Sequence, residues 1–152
     1  MSPERLAIIL AEDDDGHATL IRRNLERSKL RAEVVRARDG AVALELLAGG
    51  HSAVQPGRRV VVLLDISMPR VDGLEVLARI KADPVTRSIP VYMLTTTDNP
   101  MEIDRCFELG CNAYVSKPVA YEAFVAAIQR LCDFLEIAHA PTLPERRQNV
   151  SA

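Results

Sequence analysis

Three short runs of uninterrupted apolar residues stand out along the chain: Leu6–Leu10, Val60–Leu64 and Val91–Leu94. Continuous runs of this length suit strands buried on both faces. Glu33–Ala37 and Ala113–Val115 are weaker runs of the same kind. Between the runs, apolar residues recur at helical spacing. Ala18, Ile21, Leu25 and Leu30 follow Gly16; Val42, Leu44, Leu46 and Leu47 follow Asp39-Gly40; Leu74, Val76, Leu77 and Ile80 follow Asp72-Gly73. Met101, Ile103, Cys106, Phe107 and Leu109 follow Asn99-Pro100, where proline suits a first helical turn, and Gly110 suits a helix stop. A last helix is expected from about Tyr121 to about Ala138.

Five repeats of strand then helix predict an α/β protein with one parallel sheet covered by helices on both faces. Residues 1–138 form the expected domain. Residues 139–152, with Pro141 and Pro144, read as a C-terminal tail with little room to pack. His51–Arg59 is expected as a polar loop.

A length of 152 residues fits one such domain, and 48% hydrophobic with 26% charged residues excludes wholesale disorder. The net charge of −2 excludes a strongly basic footprint, so no nucleic-acid partner is expected. No apolar run approaches the roughly 20 residues of a membrane span, and Met1–Arg5 does not begin a signal peptide. With three unpaired-looking cysteines, Cys106, Cys111 and Cys132, a reducing cytoplasm is expected, and these thiols are expected to pack rather than react.

In open parallel sheets, sites form at the carboxyl ends of strands, beside the point where strand order reverses. Those ends carry Glu12-Asp13-Asp14-Asp15, Asp65, Thr95-Thr96-Thr97 and Ser116-Lys117-Pro118. Asp65 follows five apolar residues, and a carboxylate there is costly unless compensated. Glu12, Asp13 and Asp65 together would repel one another without a cation, and hard oxygen ligands suit Mg²⁺. A metal and the Lys117 amine beside one carboxylate suit phosphoryl transfer, with Thr95 as hydroxyl donor and Asp65 as the group that forms an acyl phosphate. Asp14 and Asp15 read as caps or solvated charge, and Asp39 and Asp72 as turn residues. His17, His51 and His139 lack ligand spacing and are expected in ordinary surface roles. The pairs Arg22-Arg23, Arg58-Arg59 and Arg146-Arg147 read as solvated faces, the first of which could meet a kinase.

This set resembles the receiver domain of bacterial response regulators, over roughly Leu6 to Ala138. The motifs are Glu12-Asp13, Leu64-Asp65-Ile66-Ser67-Met68-Pro69 with Asp72-Gly73, Pro90 through Thr95, and Tyr114-Val115-Ser116-Lys117-Pro118. The resemblance implies a flavodoxin-like doubly wound sheet, order 2-1-3-4-5, with five helices. It implies Asp65 as phosphoacceptor, Mg²⁺ held by Asp13, Asp65 and the Ser67 carbonyl, and Glu12 holding the metal through water. It also implies Thr95 and Lys117 on the phosphoryl group, a Thr95–Tyr114 switch, and a cis peptide before Pro118 that aims Lys117 inward. The expected partner is a histidine kinase or phosphotransfer protein. The His51–Arg59 insertion, Asp83-Pro84, Ile89-Pro90 and the Pro-Thr-Leu-Pro tail resemble the small regulators partnered with phytochrome-type kinases.

The last helix adds a separate expectation. Its polar residues Glu122, Gln129, Arg130, Asp133 and Glu136 fill an arc of about 120°. Phe124, Ile128, Leu131 and Leu135 form one apolar stripe, while Phe134 and Ile137 fall on a second flank. One sheet face does not easily cover both, which predicts a homodimer through this helix unless the tail folds over Phe134 and Ile137. With only about 14 residues beyond the helix, no DNA-binding effector is expected to follow. Two competing functions remain at this level: a small phosphohydrolase with Asp65 as nucleophile, although Ser67 stands where a second acid is wanted, and a phosphate-independent scaffold of the same fold.

Overall fold

The apolar runs become the central strands. The structure, a computed structural model, describes residues 5–146. In chain order the elements are β1 (Ala7–Ala11), α1 (Asp15–Arg27), β2 (Glu33–Ala37), α2 (Gly40–Glu45), β3 (Val60–Leu64), α3 (Gly73–Ala82), β4 (Val91–Thr95), α4 (Pro100–Leu109), β5 (Ala113–Ser116) and α5 (Tyr121–Ile137). All neighbours in the sheet are parallel, in the order β2-β1-β3-β4-β5. The strand–helix alternation predicts the parallel sheet with helices on both faces, and the order is the flavodoxin-like doubly wound one that the resemblance implies.

Every residue of β1, β3 and β4 is buried, because helices cover both faces. Ile9, Val62, Val76, Leu77 and Met93 pack on the side of α2, α3 and α4. Ile8, Ile21, Leu63, Phe124 and Ile128 pack on the side of α1 and α5. The strands β2 and β5 form the edges and are only partly buried.

Local chemistry sets the helix ends. Asp14, Asp39, Asp72 and Asn99 each accept a hydrogen bond from a first-turn backbone N–H of α1, α2, α3 and α4. Asp39 and Asp72 are therefore helix caps and not simple turn residues. The expected helix through Leu47 is α2 followed by a π-helical turn, Leu46–Gly50, in which Gly49 adopts φ +99°. Two other glycines are required by close approach. A Cβ on Gly40 would lie 1.9 Å from the Val71 carbonyl oxygen, and one on Gly73 would lie 2.1 Å from that of Asp65. The connection from β3 to α3 thus lies directly against the starts of two helices.

The tail differs from expectation. Residues 139–146 pack across the amino ends of the strands, whereas 147–152 lie outside the described residues, as do Met1–Glu4. Thr142 bridges Arg59 in antiparallel fashion. The Gly57 N–H donates to the Leu143 carbonyl at 2.8 Å, and the Leu143 N–H donates to that of Arg58 at 2.7 Å. Ala140 and Leu143 are buried, and Arg146 pairs with Asp83 at 2.9 Å. Backbone pairing with the 57–59 loop supplies the packing that apolar content alone does not. Of the basic pairs, Arg58 is partly buried and bonds Glu33 at 3.1 Å, while Arg59 is exposed and also donates to the Ala140 carbonyl; Arg147 is outside the described residues.

Among the described residues, the tail does not cover the flank of α5. Phe134 and Ile137 remain 46% and 77% exposed, with Phe134 set edge-on to Tyr92 at 5.7 Å. The cysteines are all buried and free, and burial pushes the Cys106 and Cys132 thiols up to about 11, in keeping with packing roles. Among the described residues, no helix is long and apolar enough to cross a membrane.

Candidate functional site

Strand register assembles the site. Ala11 pairs with Leu64, Leu64 with Met93, and Thr95 with Ser116. The residues that follow these strands therefore meet at one edge, at the β1/β3 reversal point. The Asp65 N–H donates to the Ala11 carbonyl at 3.1 Å, and the Glu12 N–H donates to that of Ala37 at 3.0 Å. Both acids thus leave the sheet on main chain that is still in the ladder.

Glu12, Asp13 and Asp65 each offer a carboxylate oxygen, and these oxygens lie within 4.8 Å of one another. Glu12 and Asp65 are buried and Asp13 is exposed. The Lys117 ammonium enters from β5, only 4% exposed. It donates to Asp65 Oδ2 at 3.0 Å and contacts Glu12 Oε1 and, at 3.2 Å, His17 Nδ1. Thr95 is fully buried, and its hydroxyl helps hold the Asp65 charge. The Ser67 N–H donates to Asp65 Oδ1 at 3.2 Å, which places Ser67 on the loop beside the acid. Tyr114, half-buried, donates its hydroxyl to the Thr97 carbonyl, and burial pushes that phenol up to about 12.

Among the described residues no peptide bond is cis, so the expected cis bond before Pro118 is not found. Lys117 still turns inward. Its N–H donates to the Thr95 carbonyl at 2.7 Å, extending the β4–β5 pairing by one residue, and its side chain ends between two carboxylates.

Two carboxyls this close share their ionisation unequally. Burial pushes the Glu12 carboxyl up to about 8; its hydrogen bond with Asp65 adds to this, and Lys117 only partly offsets it. Burial also pushes Asp65 upward, but the bond from Glu12, the Lys117 charge and the Thr95 hydroxyl reverse this and hold it below the usual carboxylate range. Of the two carboxyls, Asp65 is the one these contacts favour in its ionised form. Hard, convergent oxygen donors with one exposed edge fit a divalent cation such as Mg²⁺.

Two residues reach the site that the sequence did not single out for it. His17, expected at the surface, has Nδ1 3.6 Å from Glu12 Oε1, and its ring lies 5.1 Å from that of Phe124. It lies in the first turn of α1, three residues after the cap Asp14, and that cap is the signal that could have placed it. Arg36, on the edge strand β2, bonds to the loop that carries the acids. A cleft of about 640 Å³ opens beside the site between α1 and the start of α5, lined by His17, Leu20, Arg23, Val119, Tyr121 and Phe124. A larger groove, about 720 Å³, lies at the opposite end by Arg31 and His139, away from this chemistry.

The family model of the response regulator receiver domain matches residues 8–129. Rcp1 of Synechocystis sp. (strain ATCC 27184 / PCC 6803 / Kazusa) is 36% identical over 110 residues, covering 72% of this chain and 75% of its own. Its Mn²⁺-bound form superposes with a TM-score of 0.82 at 32% identity, covering 90% of this chain and 99% of that one. A receiver domain from Rhodospirillum rubrum gives 0.85 at 41% identity, covering 91% and 99%. The phosphorylated cyanobacterial phytochrome response regulator RcpA gives 0.82 at 34%, covering 90% and 98%. A parallel sheet in this order, with acids converging at its reversal point, is thus the frame of a two-component signalling protein. The chain belongs to the response regulator receiver domain family, a family of generally non-enzymatic signalling proteins phosphorylated on aspartate.

Proposed function

We propose that Asp65 accepts a phosphoryl group from a histidine kinase or phosphotransfer protein and that the chain signals through protein contacts. The observation that carries this reading is the buried Asp65 with Lys117 at 3.0 Å and two further acids within 4.8 Å. An Asp65 oxygen attacks phosphorus; the bond from phosphorus to the donor imidazole nitrogen breaks, and the imidazole keeps the electron pair and takes up a proton. Lys117 stays within reach of the new oxygens, and Thr95 supplies a hydroxyl to them. Glu12, Asp13, Asp65 and the Ser67 carbonyl would hold Mg²⁺, Glu12 through water, and the metal would neutralise charge on the transferred group. The cleft beside His17 and Val119, the latter fully exposed, gives the donor a way in.

Phosphorylation adds about −1.5 to −2 charges at the rim. In the proposed switch Thr95 moves toward the new oxygens and Tyr114 takes the space it leaves. The likeness to RcpA supports a phytochrome-type kinase as the donor. Reduced surroundings suit the three buried thiols and a cytoplasmic setting.

Incubation with acetyl phosphate and MgCl₂ tests the reading by intact mass. A gain of about 80 Da, one phosphoryl group, is expected for the wild type and not for Asp65→Asn. A gain that persists in Asp65→Asn overturns it, and many turnovers on a general phosphoester would favour the phosphohydrolase.

A homodimer through α5 is proposed with it, supported by the uncovered Phe134 and Ile137. Light scattering after size exclusion is expected to give twice the monomer mass at tens of micromolar, and Ile137→Asp and Phe134→Asp are each expected to halve it. A wild-type monomer would count against this interface.

A further inference from the structure

We infer that Arg36 is a positioning residue for the metal-binding acids; the inference rests on reading Glu12, Asp13 and Asp65 as a cation site. Its side chain, 15% exposed, crosses from β2 to the loop between β1 and α1. There it makes four hydrogen bonds. Nε and Nη2 donate to the Glu12 carbonyl at 3.1 and 2.9 Å, Nη2 donates to the Asp13 carbonyl at 3.3 Å, and Nη1 donates to Asp15 Oδ1 at 2.6 Å. The two carbonyls belong to the two residues whose carboxylates open the cation cluster.

The three acids are not held alike. Asp65 accepts from the Ser67 N–H, and Glu12 meets Lys117. The Asp13 carboxylate is exposed and accepts no hydrogen bond among the described residues, so its direction is inherited from its main chain. That main chain is fixed on both sides. The Glu12 N–H is taken by Ala37, and the carbonyls before and after the Asp13 N–Cα unit are taken by one planar guanidinium. A fork of rigid donors suits this task, and a single ammonium cannot span the same acceptors. Asp15 offsets the guanidinium charge at the outer end, so the clamp sits beside a cation site at reduced electrostatic cost.

Charge and positioning predict opposite signs. If Arg36 acted only as a nearby positive charge, its removal would tighten binding of a divalent cation. If it orders Asp13, its removal loosens binding although a repulsive charge has gone. Groups behind metal ligands typically carry 10–100-fold in affinity.

The experiment titrates the full chain with Mn²⁺ and counts free ion by electron paramagnetic resonance, with no phosphodonor present. Arg36→Gln is expected to weaken binding about 10-fold. Arg36→Lys, which keeps the charge and loses the fork, is expected to weaken it at least 3-fold. Thermal unfolding with and without Mn²⁺ gives a second reading, in which both variants gain less from the ion than the wild type. Equal or tighter binding by Arg36→Gln overturns the positioning role, and so does wild-type affinity in Arg36→Lys should Arg36→Gln fail to fold. A wild-type chain that binds no Mn²⁺ overturns the cation site itself and the inference with it.

Discussion

Replacing Lys117 with methionine is expected to destabilise the metal-free chain by about 3 kcal/mol above pH 8, and Mg²⁺ is expected to restore most of the loss. The ammonium is buried between Glu12 and Asp65, so its removal leaves two buried carboxyls without a counter-charge. For a chain of this size that amounts to roughly 6–12 °C in unfolding temperature. The pH dependence has a definite sign. The Glu12 carboxyl is raised from 4.5 to about 8 in the folded state, so its contribution to stability is complete below about 4.5 and is lost as pH rises through 8. Asp65 is shifted the other way, so its contribution is present above the ordinary carboxylate value and is lost only as pH falls through its lowered one. Above pH 8 the wild-type pair ionises against Lys117 and the variant cannot, so the gap between them widens. A Mg²⁺ ion held beside Glu12 would favour its ionised form, so the ion's stabilisation of the wild type is expected to grow from about pH 6 to about pH 9. Thermal unfolding across this range, with EDTA or with millimolar MgCl₂, checks the expectation. A pH-independent gap, or no recovery with Mg²⁺, would contradict it.

Gly73→Ala is expected to cost about 3 kcal/mol, roughly 6–12 °C, and to slow phosphorylation by acetyl phosphate on the order of 100-fold. The new methyl would lie 2.1 Å from the Asp65 carbonyl oxygen and 2.7 Å from Ile66 Cα. Both neighbours are main chain, so no rotamer change relieves the overlap. Either α3 retreats or the Asp65 peptide shifts, and the second moves the proposed acceptor relative to Lys117. Gly57→Ala is the natural comparison. Gly57 has φ +88° but no atom within 4 Å of the added methyl, so only backbone strain of about 1 kcal/mol is expected, with phosphorylation unchanged. Equal unfolding temperatures and rates for the two variants would refute the close-contact account.

The central strands were legible because their burial on both faces leaves no polar residue to interrupt the pattern. Asp65 was legible for the complementary reason: a carboxylate directly after Val60–Leu64 cannot be part of that pattern. The parallel register then carries Glu12, Thr95 and Lys117 to the same edge. Other features leave no such trace. Arg36 acts on main-chain carbonyls, which every residue possesses, and an arginine on a half-exposed edge strand looks like solvated charge. His17 shares its side of α1 with the site only once Asp14 is known to start that helix. The tail packs through backbone bonds to residues 57–59 and only two buried apolar side chains, Ala140 and Leu143, which form no periodic signal. Lys117 turns inward by strand pairing with Thr95, which makes an unusual peptide geometry before Pro118 unnecessary.

The strap over residues 57–59 makes the two poles of the sheet mechanically unequal. At the pole away from Asp65, Thr142, Leu143 and Arg146 stitch α5 to β3 and to the turn after α3. At the acidic pole the strands open into loops. To one side lie α4, with Cys106 as its single buried residue, and β5, with none. Motion begun among the carboxylates is therefore expected to meet an anchored floor below and the less buried α4 and β5 beside it, and to spread laterally toward them.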